Sequence, residues 1–196
     1  MIKTSPRRRN CRAAWIFAVA FAACPIGAPA IAAPERPIQA EKNPPGDIPD
    51  NQVFVAYKSP LGFALQVPEG WSRADRPEGA RFSDKYNFID VSVAPSGTAP
   101  TTQSVQSHEA AELTASGHAV KIVSVKEVKL KYWPAVRITY SSNSDPNPVT
   151  NKQIRLEHER FIFFKDGKAA TIDFAAPQGA DNADQWQLMS NSFQWN

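Results

Sequence analysis

The stretch SPLGFALQVPEGWSR, residues 59–73, decides the fold of this chain. Phe63, Leu65 and Val67 alternate with small or polar residues, which is the period of a strand with one buried face. The alternation stops at a Pro-Glu-Gly sequence, which predicts a turn leading to Trp71. Because large aromatic residues in small domains usually lie in the core, we expect Phe63, Leu65 and Trp71 to belong to a packed core rather than to a binding site.

The two-residue period of that stretch recurs along the rest of the chain. It predicts strands over residues 80–83, 88–93, 119–132, 135–140, 153–165 and 169–176. Asp166-Gly167 is a strong signal for a hairpin between the last two of these strands. Because the turns between neighbouring strands are short, we expect antiparallel pairing.

Two segments break this period and predict helices. Residues 102–116 contain few β-branched residues and are followed by Gly117, which is typical of a helix end. Residues 181–192 begin with Asp181, a helix-capping residue, and place Trp186 on one helical face with Phe193 just beyond. We expect Trp186 and Phe193 to close the core. Strands and helices in separate blocks predict an α+β fold, an antiparallel β-sheet with flanking helices.

The first 33 residues have the three parts of a secretory signal peptide. A basic start is followed by an apolar run at residues 13–23 and by the small residues Ala30-Ile31-Ala32. Cleavage there would start the mature protein near Ala33. The alternative is a lipoprotein signal, in which Cys24, after Phe-Ala-Ala, receives a lipid anchor. We therefore expect a periplasmic or extracellular protein that contacts the membrane only through such an anchor.

The leader also explains the basic charge of the whole chain. Residues 1–33 hold five of the 22 Lys and Arg residues and none of the 19 Asp and Glu residues, so the remainder has 17 basic and 19 acidic residues. Nucleic acid is therefore not an expected partner. Both cysteines, Cys11 and Cys24, lie in the leader, which excludes a cysteine nucleophile or zinc site from the rest of the chain.

Three regions are predicted along the chain: the signal peptide at residues 1–33, a tether at 34–52 and a domain at 53–196. The tether is predicted from five prolines and only two large apolar residues, Ile38 and Ile48. Such a composition buries too little apolar surface to offset the entropy of ordering, so we expect a flexible segment.

The order of short motifs in the domain resembles the PsbP-like family, the Mog1/PsbP type of fold, including exported bacterial proteins of the DcrB and LpqN types. The motifs are Leu61-Gly62-Phe63 with the Pro-Glu-Gly-Trp turn, Val91-x-Val93, Trp133-Pro134-Ala135 and the final Ser192-Phe193. The resemblance covers nearly the whole domain and implies an α/β/α sandwich. It also implies a non-enzymatic accessory or docking protein, with no catalytic residue to carry over.

The sequence contains no nucleophile elbow, zinc-protease motif, phosphate-binding loop or dinucleotide fingerprint, so no enzyme is expected. Glu157 and Glu159 flank His158 on a predicted strand, where the two carboxylates share a face and the histidine points away. Such a pair could bind a hard cation such as Ca²⁺, or could be an ordinary solvated strand face.

A basic stripe is the candidate for a docking surface. Lys126, Lys129, Lys131 and Arg137 lie near the Tyr132-Trp133 corner and could bind an acidic protein patch or anionic headgroups. Two functions follow: an accessory protein that docks an envelope protein or membrane-associated complex, or a carrier of a small ligand or divalent ion. The carrier would use a pocket between the sheet and the closing helix.

Overall fold

The computed structural model describes residues 35–195, so the predicted signal peptide and the lipidation candidate Cys24 lie outside the described residues. Within residues 35–195, no helix has the length and apolar character needed to cross a membrane. The described strands are β1 Phe54–Lys58, β2 Phe63–Pro68, β3 Ser72–Arg76, β4 Gly79–Asp84, β5 Asn87–Pro95, β6 Lys121–Lys129, β7 Pro134–Asn143, β8 Arg155–Lys165, β9 Lys168–Pro177 and β10 Gln194–Trp195. The helices are α1 Thr102–Ser107, α2 Glu109–Ala115 and α3 Ala183–Ser192.

The strands form two antiparallel sheets. The smaller sheet has the order β1-β2-β10, and the larger has the order β3-β4-β5-β9-β8-β7-β6. The predicted hairpin joins β8 to β9, and its turn residues Asp166 and Gly167 have φ values of 48° and 74°. Positive φ at both positions is the geometry of a type I′ turn, one of the two favoured two-residue hairpin turns.

The seven-stranded sheet is covered differently on its two sides. Its inner face, which carries Phe161 and Phe174, packs against the small sheet and α3. That core includes the buried residues Phe63, Leu65, Phe82, Ile89, Val91, Phe161, Phe163, Ile172, Phe174, Trp186, Met189 and Phe193. Its outer face, which carries Ile138 and Ile162, packs against Val105 of α1. The predicted α+β fold with helices on an antiparallel sheet is confirmed, with the small sheet sharing a layer with α3.

The helix predicted over residues 102–116 is two helices. They meet at His108, whose φ of −113° and ψ of −78° interrupt the helical geometry. At the start of α1, the Thr101 hydroxyl accepts a hydrogen bond from the Ser104 N–H at 3.1 Å, which satisfies one of the free donors of the first turn.

The last helix does not use Asp181 as its cap. Helix α3 begins after Asn182, whose side chain makes no capping bond. Asn182 is buried, and its Oδ1 instead accepts a hydrogen bond from the backbone N–H of Ile48 at 2.6 Å. The cap position is therefore one residue later than predicted, and the N-terminal segment uses the side chain at that position.

Residues 35–50 contain no helix or strand, as their prolines predict, but they contact the domain. The side chain of Ile48 is 3% exposed and belongs to the inner core. Asn87 Nδ2 donates to the Gly46 carbonyl at 2.8 Å, and Gln185 Nε2 donates to the Ile48 carbonyl at 3.2 Å. The segment therefore differs from the predicted free tether, because side-chain amides of the domain satisfy its backbone groups.

Candidate functional site

The outer face of the seven-stranded sheet is only half covered. Helices α1 and α2 make their main contacts with β6 and the neighbouring β7, and few or none with β4, β5 and β9. Arg76 and Arg81 lie on this open half with side chains that are 35% and 42% exposed. Asp90 accepts a hydrogen bond from each of these arginines, and the bond from Arg81 has a length of 3.3 Å. One carboxylate therefore holds two arginines in fixed positions.

A second carboxylate lies on the same face of the neighbouring strand, directly opposite the first. Asp173 on β9 is the register partner of Asp90 on β5 and of Arg160 on β8. Two carboxylates opposite each other on one face repel, so the arginines are needed to compensate them. We call Arg76, Arg81 and Arg160, with Asp90 and Asp173, the arginine row.

Asp173 is the buried end of the arginine row. It accepts hydrogen bonds from Tyr140 Oη at 2.6 Å and from Arg160 Nη2 at 2.7 Å. Burial opposes its charge, but Arg160, His158 and Tyr140 outweigh burial and lower the pKa of Asp173 to about 2. Burial and the Asp173 charge raise the pKa of Tyr140. Asp173 is therefore ionised and Tyr140 protonated at neutral pH.

His158 connects this end of the row to a small cavity. Its ring stacks on Tyr140 with centroids 4.2 Å apart, and its Nε2 lies 2.8 Å from Ser142 Oγ. Its Nδ1 lies 3.5 Å from Asp173 Oδ1, too long for a good hydrogen bond. Ser142, His158 and Asp173 therefore lie together; the serine–histidine contact has hydrogen-bond length, whereas the histidine–aspartate contact does not.

Arg81 stacks on an aromatic side chain beside that cavity. Its guanidinium carbon lies 3.7 Å from the centre of the Phe88 ring, a cation–π contact. The cavity of about 180 Å³ is lined by Arg81, Phe88, Leu113, Ser116, His118, Val120, Tyr140, Ser142, Asn143, Ser144, Asp145, Leu156 and His158. A groove of about 490 Å³ continues from it past Arg81 to Tyr86 and Pro146.

The predicted carboxylate pair lies on the inner face. Glu157 and Glu159 share that face, and His158 points to the outer face, as predicted for a strand. Burial raises the pKa of both glutamates, and Arg137 Nη1 donates to Glu159 at 3.1 Å. Among residues 35–195, no group of three His, Cys, Asp or Glu side chains could hold a metal ion. The cation site stays a prediction. The described residues provide no third ligand beside Glu157 and Glu159.

The structure does not bring the predicted basic stripe together. The register pairs Lys126 with Arg137 on the inner face, whereas Lys129 pairs with Pro134 and points to the outer face. Lys131 lies in the following turn, with its Nζ 5.0 Å from the centre of the Tyr132 ring. Arg137 is already bonded to Glu159. The stripe is divided because neighbouring strand residues alternate between faces.

The predicted core residues differ in their burial. Phe63 and Leu65 are 1% exposed, as is Phe193, and Trp186 is 7% exposed. Trp71 is only partly buried and packs against the edge of the same core. Aromatic side chains of that core, including Phe163 and Phe193 with ring centroids 4.2 Å apart, occupy the space between the sheet and α3 where the carrier pocket was predicted.

The arginine row was missed from the sequence, although one signal was present. Asp173 is a lone acidic residue within the otherwise uncharged strand segment Ala169–Ala176, and a charge in such a run is costly unless it is paired. Its partner, Arg160, is 13 positions away across a hairpin. The other arginines come from β3 and β4, so only the strand order places them on one face.

Comparisons with known proteins identify the fold. No family model matches the chain, and the search of curated proteins finds no match. Among solved structures, the solution structure of cyanobacterial PsbP (CyanoP) from Synechocystis sp. PCC 6803 is similar with a TM-score of 0.55 and 13% identity, over 77% of this chain and 98% of that one. A crystal structure from Bacteroides thetaiotaomicron VPI-5482 has a TM-score of 0.48 and 14% identity, over 72% of this chain and 48% of that one.

The described domain therefore has a PsbP-like fold, as the motif order predicted. The finer assignment to the DcrB or LpqN type stays a prediction.

Proposed function

We propose that this chain is a non-catalytic accessory protein of the cell envelope that docks a partner protein through the arginine row. The observation that carries the proposal is the position of Arg76, Arg81 and Arg160 on the part of the outer face away from α1 and α2, with side chains that are 35%, 42% and 24% exposed. Export to the periplasm or beyond rests on the leader sequence.

The chemistry of the row favours an acidic protein patch as the occupant. Glu78 also pairs with Arg76, at 3.5 Å, so the three guanidinium groups face three carboxylates, and the row offers a partner exposed guanidinium donors rather than excess charge. Arginine is enriched at protein interfaces because its planar group binds carboxylates through two hydrogen bonds. Asp90 and Asp173 already hold these side chains, so docking would order few additional rotamers.

Site-specific photocrosslinking in the native envelope tests this proposal. Thr171 is half-buried on the outer face beside Asp173. The photocrosslinking amino acid p-benzoylphenylalanine, placed at position 171, would therefore lie among the arginines. Val123 on β6 is 66% exposed and provides the control position. We expect one discrete adduct from position 171 and none from position 123.

Charge reversal then links the adduct to the arginines. Arg81→Glu should abolish the adduct, because it replaces an attractive charge with a repulsive one. Lys126→Glu on the inner face makes the same charge change away from the row and should retain the adduct. Loss with both variants, or retention with Arg81→Glu, would contradict docking at the row. A thermal melt of each variant confirms that it is folded.

A cavity supports a second function, the carriage of a small apolar ligand. It has a volume of about 470 Å³ and is lined by Ala99, Pro100, Glu127, Val128, Lys129, Pro134, Ala135, Val136, Ile162 and Phe164. This volume lies within the range of small-molecule sites. Medium-chain fatty acids should raise the melting temperature if this function is correct, and Ile162→Trp, which fills the cavity, should remove that rise.

A further inference from the structure

The N-terminal segment places a carboxylate against the ends of β7 and β8. Glu35 Oε1 accepts hydrogen bonds from Asn143 Nδ2 at 2.7 Å and from Gln153 Nε2 at 2.8 Å. Asn143 is 2% exposed, so its amide is fixed by its surroundings. We call Asn143, Gln153, Arg155 and the turn at residues 117–119 the cradle.

A buried cation lies behind these two amides. Arg155 is 5% exposed, and its guanidinium donates only to neutral oxygens: Ala119 O at 2.9 Å, Asn143 Oδ1 at 3.0 Å and Ser141 Oγ at 2.6 Å. Among residues 35–195, no carboxylate lies within ion-pair distance of Arg155. A buried charge without a counterion is costly, so the cradle has a positive potential that favours an anion.

The turn at residues 117–119 is bonded to both Asn143 and Arg155. Gly117, His118 and Ala119 have φ values of 91°, 54° and 46°, and two of the three are not glycine. Asn143 N donates to His118 O at 2.7 Å and Arg155 holds the Ala119 carbonyl, which keeps the strained turn in place. The Asn143 hydrogen bond lowers the pKa of Glu35 despite some burial, and Gln153, the His118 charge and its backbone N–H lower it further.

Glu35 is less buried than the residues of the cradle that bind it. Glu35 is exposed and lies in a segment without helix or strand, whereas Asn143 and Arg155 are buried in the sheet. We propose that the cradle is a carboxylate-binding site, occupied here by Glu35 of the same chain, which takes up the carboxylate of a small organic acid when Glu35 is absent.

The neighbouring cavity sets the size of that acid. It shares Asn143 and His118 with the cradle and has a volume of about 180 Å³. The body of the ligand therefore has the size of a short organic acid or an amino acid, and Ser142 and His158 offer polar groups to it.

A titration of the purified protein with sodium acetate tests the proposal. The NMR signals of the Asn143 and Gln153 side-chain amides report the binding. Glu35→Ala removes the carboxylate and frees one N–H each of Asn143 and Gln153, while Asn143 Nδ2 stays bonded to the Arg36 carbonyl at 2.9 Å, so the amide signals should shift saturably with acetate. The wild-type protein should need at least about tenfold more acetate, because the tethered Glu35 competes at a high effective concentration. Glu41→Ala is the matched control, because it removes the ion pair with Lys152 from the same segment without touching the cradle.

The controls separate carboxylate binding from other effects. Sodium chloride at the same ionic strength should not reproduce the shifts, and adding Gln153→Leu to Glu35→Ala should weaken acetate binding by at least about tenfold, the effect of about 1.4 kcal/mol. Equal acetate affinity in wild type and Glu35→Ala would overturn the proposal. The absence of saturable shifts in Glu35→Ala, or equal shifts with chloride, would also overturn it.

Discussion

Trp71 follows the Pro-Glu-Gly turn and lies at the edge of the inner core. It lines a surface cavity of about 380 Å³ together with Tyr57, Val67 and Phe82. The turn formed as predicted, with Gly70 at a φ of 85°. The sequence indicated that Trp71 would pack on the sheet, but the extent of its burial depends on β1, which comes from a different part of the chain.

This intermediate burial predicts an intermediate stability loss. Phe193 is 1% exposed and packs on Phe163, so Phe193→Ala should cost about 3–5 kcal/mol, the usual range for a buried aromatic residue. Trp71→Ala should cost about 1–2 kcal/mol, because part of its ring is already in water. Urea unfolding of both variants measures the difference. Equal losses would show that Trp71 covers the core completely.

The strands with clear alternation were the ones that the sequence predicted. Strands β2, β5 and β7 carry apolar residues at every second position, strands β8 and β9 contain short apolar runs, and each lies close to its predicted range. Strand β3, with the sequence Ser-Arg-Ala-Asp-Arg, was missed because an edge strand packs little apolar surface. Strand β10 has two residues, too few for a period to be visible.

The N-terminal segment is the element whose role composition alone did not predict. It lacks the apolar residues of a packed element, but its backbone groups bind Asn87, Asn143 and Asn182. Hydrogen bonds between a backbone and distant side chains leave no periodic pattern in a sequence. The same reason explains why the cradle and its occupant could not be predicted, since Gln153 and Glu35 are 118 positions apart.

Two isoleucines of this segment provide a matched test of its packing. Ile48 is 3% exposed and Ile38 is 38% exposed. Ile48→Ala should lower the free energy of unfolding by about 2–4 kcal/mol, and Ile38→Ala by less than about 1 kcal/mol. Urea unfolding of the two variants gives the comparison. If both losses are below 1 kcal/mol, the segment is a free tether, as its composition suggested.

The two faces of the large sheet hold carboxyl groups whose pKa values are shifted in opposite directions. On the outer face, the pKa of Asp173 is lowered to about 2, so its contribution to stability is complete above the unfolded pKa near 4 and is lost as the pH falls toward 2. On the inner face, burial raises the pKa values of Glu157 and Glu159. Their folded forms bind protons more readily than the unfolded chain, so stability increases as the pH falls below neutral.

The whole molecule should therefore gain stability as the pH falls from neutral and lose it again below the unfolded carboxyl pKa of about 4. Glu157→Gln removes one of the two groups that lower stability at neutral pH, and it keeps a similar shape. We expect this variant to be more stable than wild type at pH 7 and to gain less between pH 7 and pH 5. Asp75→Asn, which changes a carboxylate that is 57% exposed, is the control and should keep the wild-type slope.

Urea unfolding at intervals from pH 2 to pH 8 measures these slopes. The fall in the free energy of unfolding below pH 4, the acidic limb, should be the same in wild type and Glu157→Gln, because Asp173 on the opposite face produces it. An unchanged slope between pH 7 and pH 5 in Glu157→Gln would show that burial of this carboxylate does not set the pH dependence. A weaker acidic limb in the same variant would show that the two faces are coupled through β8, which carries Glu157 on one side and the Asp173 partner Arg160 on the other.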